Sequence, residues 1–302
     1  MLESLARHAS HRHDVTILAM DEAVPELIAK VGRPEWRVVH VGDLGDAEFT
    51  ALKETRPHRE FCWTAAPVLC NSLIARAKEG DFVVYLDADL MFYADPQVLL
   101  DELGQDGNVM IHEHRYSPDR KAWEAGSGRF NVGFVAFRLG DEARACAQRW
   151  RDQVIEKCVL DPDNGYCGDQ GYLNEWPSLY PGVRIMSNIG GGTAPWNLAS
   201  YAVAGTPTQP TVDGTPVVFF HYHAFRTAEV PPFGLLAAQP AAGYNFSRSA
   251  NRLLFQRYAH AVRAASARLR SNGTKVPGDQ TLSPKDALRG VLAGRYVLAF
   301  HV

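Results

Sequence analysis

An apolar run that leads into two neighbouring carboxylates constrains this chain more than any other feature. The run Phe82–Leu86 has the composition of a buried β-strand, and Asp87 and Asp89 follow it directly. Alternate residues of an extended chain point to the same side, so both carboxylates can face one cation. Two adjacent acids repel each other, and a divalent metal relieves that repulsion. Open α/β sheets bind ligands at strand ends, so the pattern predicts a metal site there.

Length and composition describe a globular protein. The chain has 302 residues, 46% of them apolar, which is enough for one large or two modest domains. No apolar run approaches the roughly 20 residues that span a bilayer, and no signal-peptide pattern opens the chain. We therefore predict a soluble, cytoplasmic protein. Five cysteines without a C-x-x-C pair predict reduced structural thiols: Cys62, Cys70, Cys146, Cys158 and Cys167.

Charge is distributed unevenly along the chain. The net charge is −3, but residues 251–302 hold seven arginines and two lysines against two aspartates, which makes this segment +7 and the rest −10. A basic tail on an acidic body suggests an anionic partner, such as the inner face of a membrane. The alternative is a solvated helix face. An acidic body argues against nucleic acid as the partner.

Strand and helix patterns alternate along the first 230 residues. This alternation predicts an α/β domain over residues 1–230, followed by a helical tail over residues 231–302. Loops are predicted where Gly, Pro and Thr are frequent, at Asn188–Thr193 and Thr206–Pro216. Predicted strands are Val15–Met20, Val38–Val41, Phe82–Leu86, Val109–His112, Phe134–Phe137 and Val217–Phe220; predicted helices are Pro67–Lys78, Pro96–Leu103, Asp141–Cys158, Gln170–Trp176, Arg248–Arg270 and one from Ser283.

The chain opens in a helical pattern. Leu2, Leu5, Ala6 and Ala9 share one helix face, with no capping residue and no strand before them. An α/β sheet that begins on a bare helix suggests that the first strand of the fold is missing. A genuine N-terminal helix is the alternative.

Histidines and polar residues elsewhere complete the candidate site. His221 ends the apolar run Val217–Phe220, and with two carboxylates it makes an O,O,N donor set suited to Mn²⁺ or Mg²⁺. His223 lies on the same strand face, and we favour His221 as the ligand. Asn131-Val132-Gly133 precedes an apolar run; it is either a sugar-binding segment or a loop-to-strand turn.

Two further segments suit ligand binding. Asp169-Gln170 opens a short helical pattern, so Asp169 either caps that helix or orients sugar hydroxyls together with Gln170. Gly190–Gly192 lacks the Lys-Ser/Thr of a P-loop, but it is a flexible loop whose Gly191 amide could reach a phosphate.

Together these segments resemble glycosyltransferase family 8, the retaining group that includes bacterial lipopolysaccharide galactosyltransferases and glycogenin. The matching stretches are Val83–Asp89, Phe130–Gly133, Gly168–Asn174 and Phe220–Tyr222, in the same order along residues 15 to 226. The resemblance implies a GT-A fold, a Mn²⁺-dependent nucleotide-sugar donor that is usually UDP-linked, a glycan or lipid-linked acceptor, and transfer with retention.

The resemblance also assigns roles residue by residue. It implies Asp87, Asp89 and His221 as metal ligands, and Asn131, Asp169 and Gln170 as sugar-site residues. Gln170 would lie where a retaining mechanism needs a weak nucleophile or an ion-stabilising group.

The chain departs from the family in two places. Members often carry Gly-x-x-Lys-Pro-Trp after the metal histidine, with a lysine on the diphosphate; here Arg226 is the cation that could take this role. The family also begins with a strand that holds the nucleotide base, and this chain starts in the helix after it.

Two other functions compete with this interpretation. A phosphatase that uses the first acid of Asp-x-Asp as nucleophile normally has a small Gly-Thr-type turn next, whereas Leu90–Phe92 is apolar. A non-catalytic transferase-like fold that binds glycan or nucleotide is the second. An assay of donor hydrolysis with Mn²⁺ distinguishes this non-catalytic protein from an enzyme.

Overall fold

The computed structural model describes residues 1–241, 243–274, 276 and 278–299. Strands and helices alternate through much of this range, which confirms the predicted mixed α/β class. The strands are β1 Val15–Ala19, β2 Trp36–His40, β3 Phe82–Leu86, β4 Leu90–Phe92, β5 Val109–Glu113, β6 Phe130–Arg138, β7 Leu160–Asp161, β8 Tyr166–Cys167, β9 Val183–Ile185, β10 Val203–Thr206, β11 Gln209–Val212, β12 Thr215–Pro216, β13 Phe219–His221, β14 Arg226–Glu229, β15 Leu235–Gln239, β16 Gln280–Thr281 and β17 Val297–Leu298.

The helices differ widely in length. They are α1 Leu2–His8, α2 Ala23–Val31, α3 Ala47–Leu52, α4 His58–Ile74, α5 Gln97–Leu100, α6 Glu124–Ser127, α7 Asp141–Glu156, α8 Trp176–Leu179, α9 Arg248–Ala250, α10 Gln256–Ser271 and α11 Pro284–Leu292. Short 3-10 segments lie at Val41–Leu44, Asp101–Leu103, Pro118–Trp123, Pro162–Asn164, Gln170–Glu175 and Leu198–Ser200, and a π-helical segment, Asn251–Phe255, joins α9 to α10.

Four strands form the sheet that supports the site, in the order β3-β6-β5-β9. β6 is antiparallel to β3 and β5, and β9 is parallel to β5. Successive residues of β6 face opposite sides of this sheet. Val135 and Phe137 pack in one core cluster with residues of α4 and α7, whereas Phe134 and Ala136 pack in another with residues of β4 and β13. Burial on both faces explains why this segment is apolar without alternation.

Two long-range pairings surround the Asp87–Asp89 turn. β4 is antiparallel to β13, and Leu90 lies opposite His221. On the other side, β3 pairs with β6 as far as Leu86, and the Asp87 amide then donates a hydrogen bond to the Gly133 carbonyl at 3.0 Å. The turn is therefore held between segments that are distant in sequence.

The N-terminal strands are separate from this sheet, whereas Leu5 of α1 packs in the cluster that contains Phe134 and Ala136 of β6. β1 and β2 form a parallel pair, with Val15 opposite Trp36. The predicted N-terminal helix is confirmed as α1, and the Phe92 amide of β4 donates a hydrogen bond to Ser4 Oγ of α1 at 3.1 Å. A missing strand beside β1 stays a prediction.

One predicted loop was wrong, and the bounds of one predicted helix were wrong although the helix itself is present. Thr206–Pro216 is largely an antiparallel sheet formed with β10, β11 and β12, not a loop. Its Asp213 and Gly214 both have positive φ, 47° and 80°, which is the hairpin-turn signal that an Asp-Gly pair provides. The helix predicted over Pro67–Lys78 is α4, which begins nine residues earlier and contains Pro67 in its interior.

The C-terminal segment contains strands as well as the predicted helices. β14 and β15 form one sheet with β16 and β17, so this sheet crosses residue 230. Part of the basic charge pairs with the acidic body, since Arg268 lies 2.5 Å from Glu3 and Arg270 lies 3.0 Å from Glu229. The boundary at residue 230 and the membrane role of the tail stay predictions. Lys275 and residues 300–302 of this tail lie outside the described residues.

All five cysteines are free thiols, and four of them are buried. Within the described part of the chain, no helix is both long enough and apolar enough to cross a bilayer.

Candidate metal site

Three predicted ligands converge at the turn between β3 and β4. One ligand atom from each of Asp87, Asp89 and His221 lies within 4.8 Å of the others. His221 Nε2 is 3.1 Å from Asp89 Oδ1 and 3.7 Å from Asp87 Oδ2. The His221 side chain is 5% exposed and that of Asp89 is 43% exposed, so the cluster opens to solvent on the Asp89 side. Two carboxylates and an imidazole with one open side fit Mn²⁺ or Mg²⁺ that retains positions for ligand oxygens.

The protonation equilibria of this cluster favour a bound positive charge. Burial and the charge of Asp89 raise the pKa of Asp87 above its usual range, although the His221 charge opposes the shift. Burial would lower the pKa of His221, but the two carboxylates outweigh it and raise that pKa. Burial likewise acts to raise the pKa of Asp89, and the charge and hydrogen bond of His221 hold it below its usual value. The carboxylates thus attract a cation, and a metal would compete with the imidazole proton.

A tyrosine orients the more buried carboxylate. Tyr85 Oη donates a hydrogen bond to Asp87 Oδ1 at 2.8 Å. The other oxygen, Oδ2, is the one that faces His221. Tyr85 therefore fixes the rotation of the Asp87 carboxylate and directs one oxygen into the cluster.

Gly133 lies directly behind the imidazole. A Cβ atom here would sit 2.9 Å from His221 Nδ1 and 2.8 Å from Asn131 Oδ1, closer than real contacts allow. Asn131 Oδ1 accepts a hydrogen bond from the Gly133 amide at 2.9 Å. Both residues lie inside β6, so the interpretation of this segment as a loop-to-strand turn was wrong. Only glycine lets the strand approach the histidine so closely.

Asp169 and Gln170 lie at the start of the 3-10 segment Gln170–Glu175, which contacts β6 through Asn131. Asp169 precedes the 3-10 turn Gln170–Glu175, but its side chain makes no capping hydrogen bond, so the capping interpretation is not supported. Burial, with a smaller contribution from the Asp87 charge, raises the pKa of Asp169 to about 8. Burial thus favours the protonated form of its carboxyl group, which can donate a hydrogen bond.

The Gln170 amide is held at both ends. Its Nε2 donates to the Ser127 carbonyl at 2.7 Å, and its Oε1 accepts from Asn131 Nδ2 at 3.3 Å. Asn131 in turn reaches Gly133 through its other amide atom. A continuous chain of hydrogen bonds therefore links Gln170 to the backbone that packs behind His221.

The two residues predicted to contact phosphate, Gly191 and Arg226, lie in different surroundings. The Gly191 amide already donates to the Asn188 carbonyl at 3.1 Å, so a phosphate contact would require it to change partner. Arg115 donates through Nη2 to the Gly191 carbonyl, which holds the loop from the other side. Arg226 is exposed at the start of β14, opposite Gln239. The phosphate roles of Gly191 and Arg226 stay predictions.

Sequence reasoning missed Trp196, which covers the histidine side of the cluster. Its ring packs edge-on against His221 and His223, with centroid distances of 5.2 and 5.6 Å. Its Nε1 donates to the His114 carbonyl at 2.9 Å, which anchors the indole. The available signal was the large aromatic side chain of Trp196, three residues after the glycine-rich loop Asn188–Thr193.

We expect His221→Ala to weaken Mn²⁺ binding more than His223→Ala, because His221 contributes a ligand atom to the cluster and His223 does not. His223 is exposed and serves as the matched control. Losing one of three protein ligands should reduce Mn²⁺ affinity by about 100-fold or more, because the loss of a residue that only supports a ligand already costs about 10- to 100-fold. Calorimetric titration with Mn²⁺ measures both variants. Equal losses, or the larger loss in His223→Ala, would contradict the assignment.

The fold and the site define a mixed α/β protein with a carboxylate–histidine cluster suited to a divalent metal. Within that class, the chain belongs to the family of the uncharacterized protein YfnD of Bacillus subtilis, to which it is 30% identical over 237 residues that cover 78% of this chain and 76% of YfnD. It is also 29% identical to the uncharacterized protein YfnF of the same organism, over 72% of this chain and 73% of YfnF. No protein-family model matches the chain.

Among the solved structures to which the chain is similar in part are three of glycosyltransferases. The galactosyltransferase LgtC in complex with donor and acceptor sugar analogs is 19% identical, covers 91% of both chains and has a TM-score of 0.48. An active-site mutant of LgtC is 20% identical over 74% of this chain and 81% of its own, with a TM-score of 0.44. The bifunctional enzyme WbbM is 14% identical over 65% and 36%, with a TM-score of 0.37. At TM-scores below 0.5 the backbones agree only in part.

Proposed function

We propose that this protein is a metal-dependent glycosyltransferase of the GT-A type. Its donor is a nucleotide-sugar, with UDP as the proposed nucleotide. The sugar moves to a hydroxyl of a glycan or lipid-linked acceptor, with retention at the anomeric carbon. The observation that carries the proposal is the convergence of Asp87, Asp89 and His221 within 4.8 Å, close to the hydrogen-bonded pair of Asn131 and Gln170. The order of the sequence motifs, which resembles glycosyltransferase family 8, supports the same conclusion.

The cluster would bind the diphosphate end of the donor. When bound, the metal supplies a Lewis acid that neutralises charge on the leaving phosphate. Asp87 and Asp89 supply the anionic oxygens, and Tyr85 keeps one oxygen of Asp87 aimed into the cluster. His221, buried against Gly133 and Trp196, has little freedom to rotate, so its ligand atom is already in place.

The sugar end would lie toward Gln170. Breaking the bond between sugar and phosphate develops positive charge on the sugar ring, and an amide oxygen stabilises such charge without acting as a strong base. Gln170 is held by Ser127 and Asn131, which fixes the side chain against which a sugar can rest. In the protonated form that burial favours, the Asp169 carboxyl group is suited to donate a hydrogen bond to a sugar hydroxyl.

Thermal unfolding with a panel of nucleotide-sugars tests the donor assignment. UDP-glucose, UDP-galactose, UDP-N-acetylglucosamine and GDP-mannose are each added with MnCl₂ or with EDTA. A donor present at 100 times its Kd stabilises the folded state by about 2.7 kcal/mol, which should raise Tm by about 5 °C. We expect that rise with Mn²⁺ and no rise with EDTA.

Product analysis then tests the reaction. NMR of the released or transferred sugar reports its anomeric configuration, and retention is expected. A donor that stabilises equally in EDTA would remove the metal from the proposal. Binding without hydrolysis or transfer would instead establish the non-catalytic alternative.

A further inference from the structure

An exposed tryptophan lies beside the Gln170 end of the site. The Trp123 side chain is 42% exposed, and among the large exposed apolar residues that the structure describes it is the only tryptophan. It is the residue directly before α6, whose Ser127 carbonyl accepts the hydrogen bond from Gln170. Four helical residues advance about 6 Å along the axis, so Trp123 lies one turn from the contact with Gln170.

Two neighbours contact the Trp123 indole, and part of its surface stays exposed. The Arg120 guanidinium carbon lies 4.6 Å from the centre of the Trp123 ring, and Tyr244 packs against the same indole at 5.8 Å and 76°. Arg120 also lies 4.9 Å from the Tyr244 ring and donates to the Gly243 carbonyl at 2.7 Å. The indole is therefore held in one orientation, with the exposed part of its surface left for a ligand.

A column of aromatic rings ties this platform to the strand of His221. Tyr244 stacks on Phe246 at 5.9 Å, Phe246 contacts Phe255 at 4.4 Å, and Phe255 contacts Phe220 at 5.5 Å. Phe220 lies next to His221 in β13. Trp123 is thus fixed relative to both the metal cluster and Gln170, as a binding subsite requires.

We propose that the exposed surface of Trp123 is a subsite for a pyranose ring of the acceptor, an inference that rests on the proposed transferase function. A pyranose presents axial C–H groups on one face and hydroxyls at its rim. An aromatic ring matches the apolar face, and charged groups beside it match the rim. Such groups are present. Lys121 and Glu124, which flank Trp123 in the sequence, form an ion pair at 2.5 Å. Arg120 pairs with Asp119 at 3.2 Å.

Saturation-transfer difference NMR with methyl glycosides tests the subsite directly. The probes are methyl β-D-galactopyranoside, methyl α-D-glucopyranoside, methyl α-D-mannopyranoside and methyl α-L-rhamnopyranoside, with Mg²⁺ as the metal. We expect at least one probe to bind the parent protein. Trp123→Ala should weaken its binding by about three- to tenfold, the usual range for one aromatic stacking contact. Trp123→Tyr should retain most of the affinity, because it keeps an aromatic face.

Phe82→Ala is the matched control. Phe82 is also 42% exposed, but it begins β3, whose opposite end carries the metal cluster. This control should bind the probe like the parent. Unchanged binding by Trp123→Ala, or no signal from any probe with the parent, overturns the subsite.

Donor binding separates failure of the subsite from failure of the proposed function. Trp123→Ala should keep the full Mn²⁺-dependent stabilisation by a nucleotide-sugar, because the ligand atoms of the metal cluster come from other residues. A parent protein without that stabilisation refutes the transferase function. If the parent protein binds the donor, and Trp123→Ala binds the glycoside as tightly as the parent does, only the subsite is refuted.

Discussion

Replacing Asp89 with alanine should abolish metal-dependent donor binding and lower the transfer rate by about 10³-fold. Asp89 supplies the carboxylate that lies nearest to His221, at 3.1 Å, and it is the most exposed of the three ligands. Charge stabilisation by a metal on a leaving phosphate contributes several kcal/mol to the barrier, and each 1.4 kcal/mol is about tenfold in rate. Because its side chain is 43% exposed, its removal should leave the fold intact. Calorimetric titration with Mn²⁺ and nucleotide-sugar, together with a transfer assay, measures the effect.

Asp106→Ala is the control for this variant. Asp106 is an exposed acid in the turn before β5 and carries the same formal charge as Asp89. Its removal should change neither Mn²⁺ affinity nor turnover. If Asp89→Ala binds metal and donor as tightly as the parent protein, the carboxylate–histidine cluster is not the metal site.

Replacing Gly133 with alanine should have the second-largest effect. The new methyl group would fall 2.9 Å from His221 Nδ1 and 2.8 Å from Asn131 Oδ1, so one of these side chains must move. Displacing a group that supports a metal ligand typically costs about 10- to 100-fold in affinity. Overpacking of this kind also costs about 1–3 kcal/mol of folding free energy. Mn²⁺ titration and chemical denaturation measure the two effects separately.

Gly42→Ala is the matched control for Gly133→Ala. A Cβ atom at Gly42 would meet nothing within 4 Å in the described part of the chain, so the same change of one methyl group is made in open space. This control should lose neither stability nor metal affinity beyond a few tenths of a kcal/mol. A Gly133→Ala protein with the parent's Mn²⁺ affinity would show that the close packing behind His221 is not needed for binding.

Local patterns were the most successful part of the sequence analysis. The helix predicted over Asp141–Cys158 is α7, Asp141–Glu156, because its apolar residues recur with helical spacing. The strand Phe82–Leu86 was predicted to the residue. The loop predicted over Thr206–Pro216 was wrong because glycine and proline occur in hairpin turns as well as in loops, and the Asp213-Gly214 pair is a hairpin signal. Val212 of β11 is fully buried opposite Val203 of β10, and composition does not reveal this burial.

The residue types of the site follow from short stretches of the sequence. Two carboxylates spaced i, i+2 after a strand, and a histidine at the end of another, are properties of short stretches, and local spacing is set by the covalent chain. The pairing of Leu90 with His221, which brings the histidine beside Asp89, arises only in the folded chain. Strand register depends on side chains packed from both faces of the sheet, so no local pattern encodes it. The same holds for Gly133 behind the imidazole and for Trp196 and Trp123 around the site, because contacts between distant segments form only when the whole core is assembled.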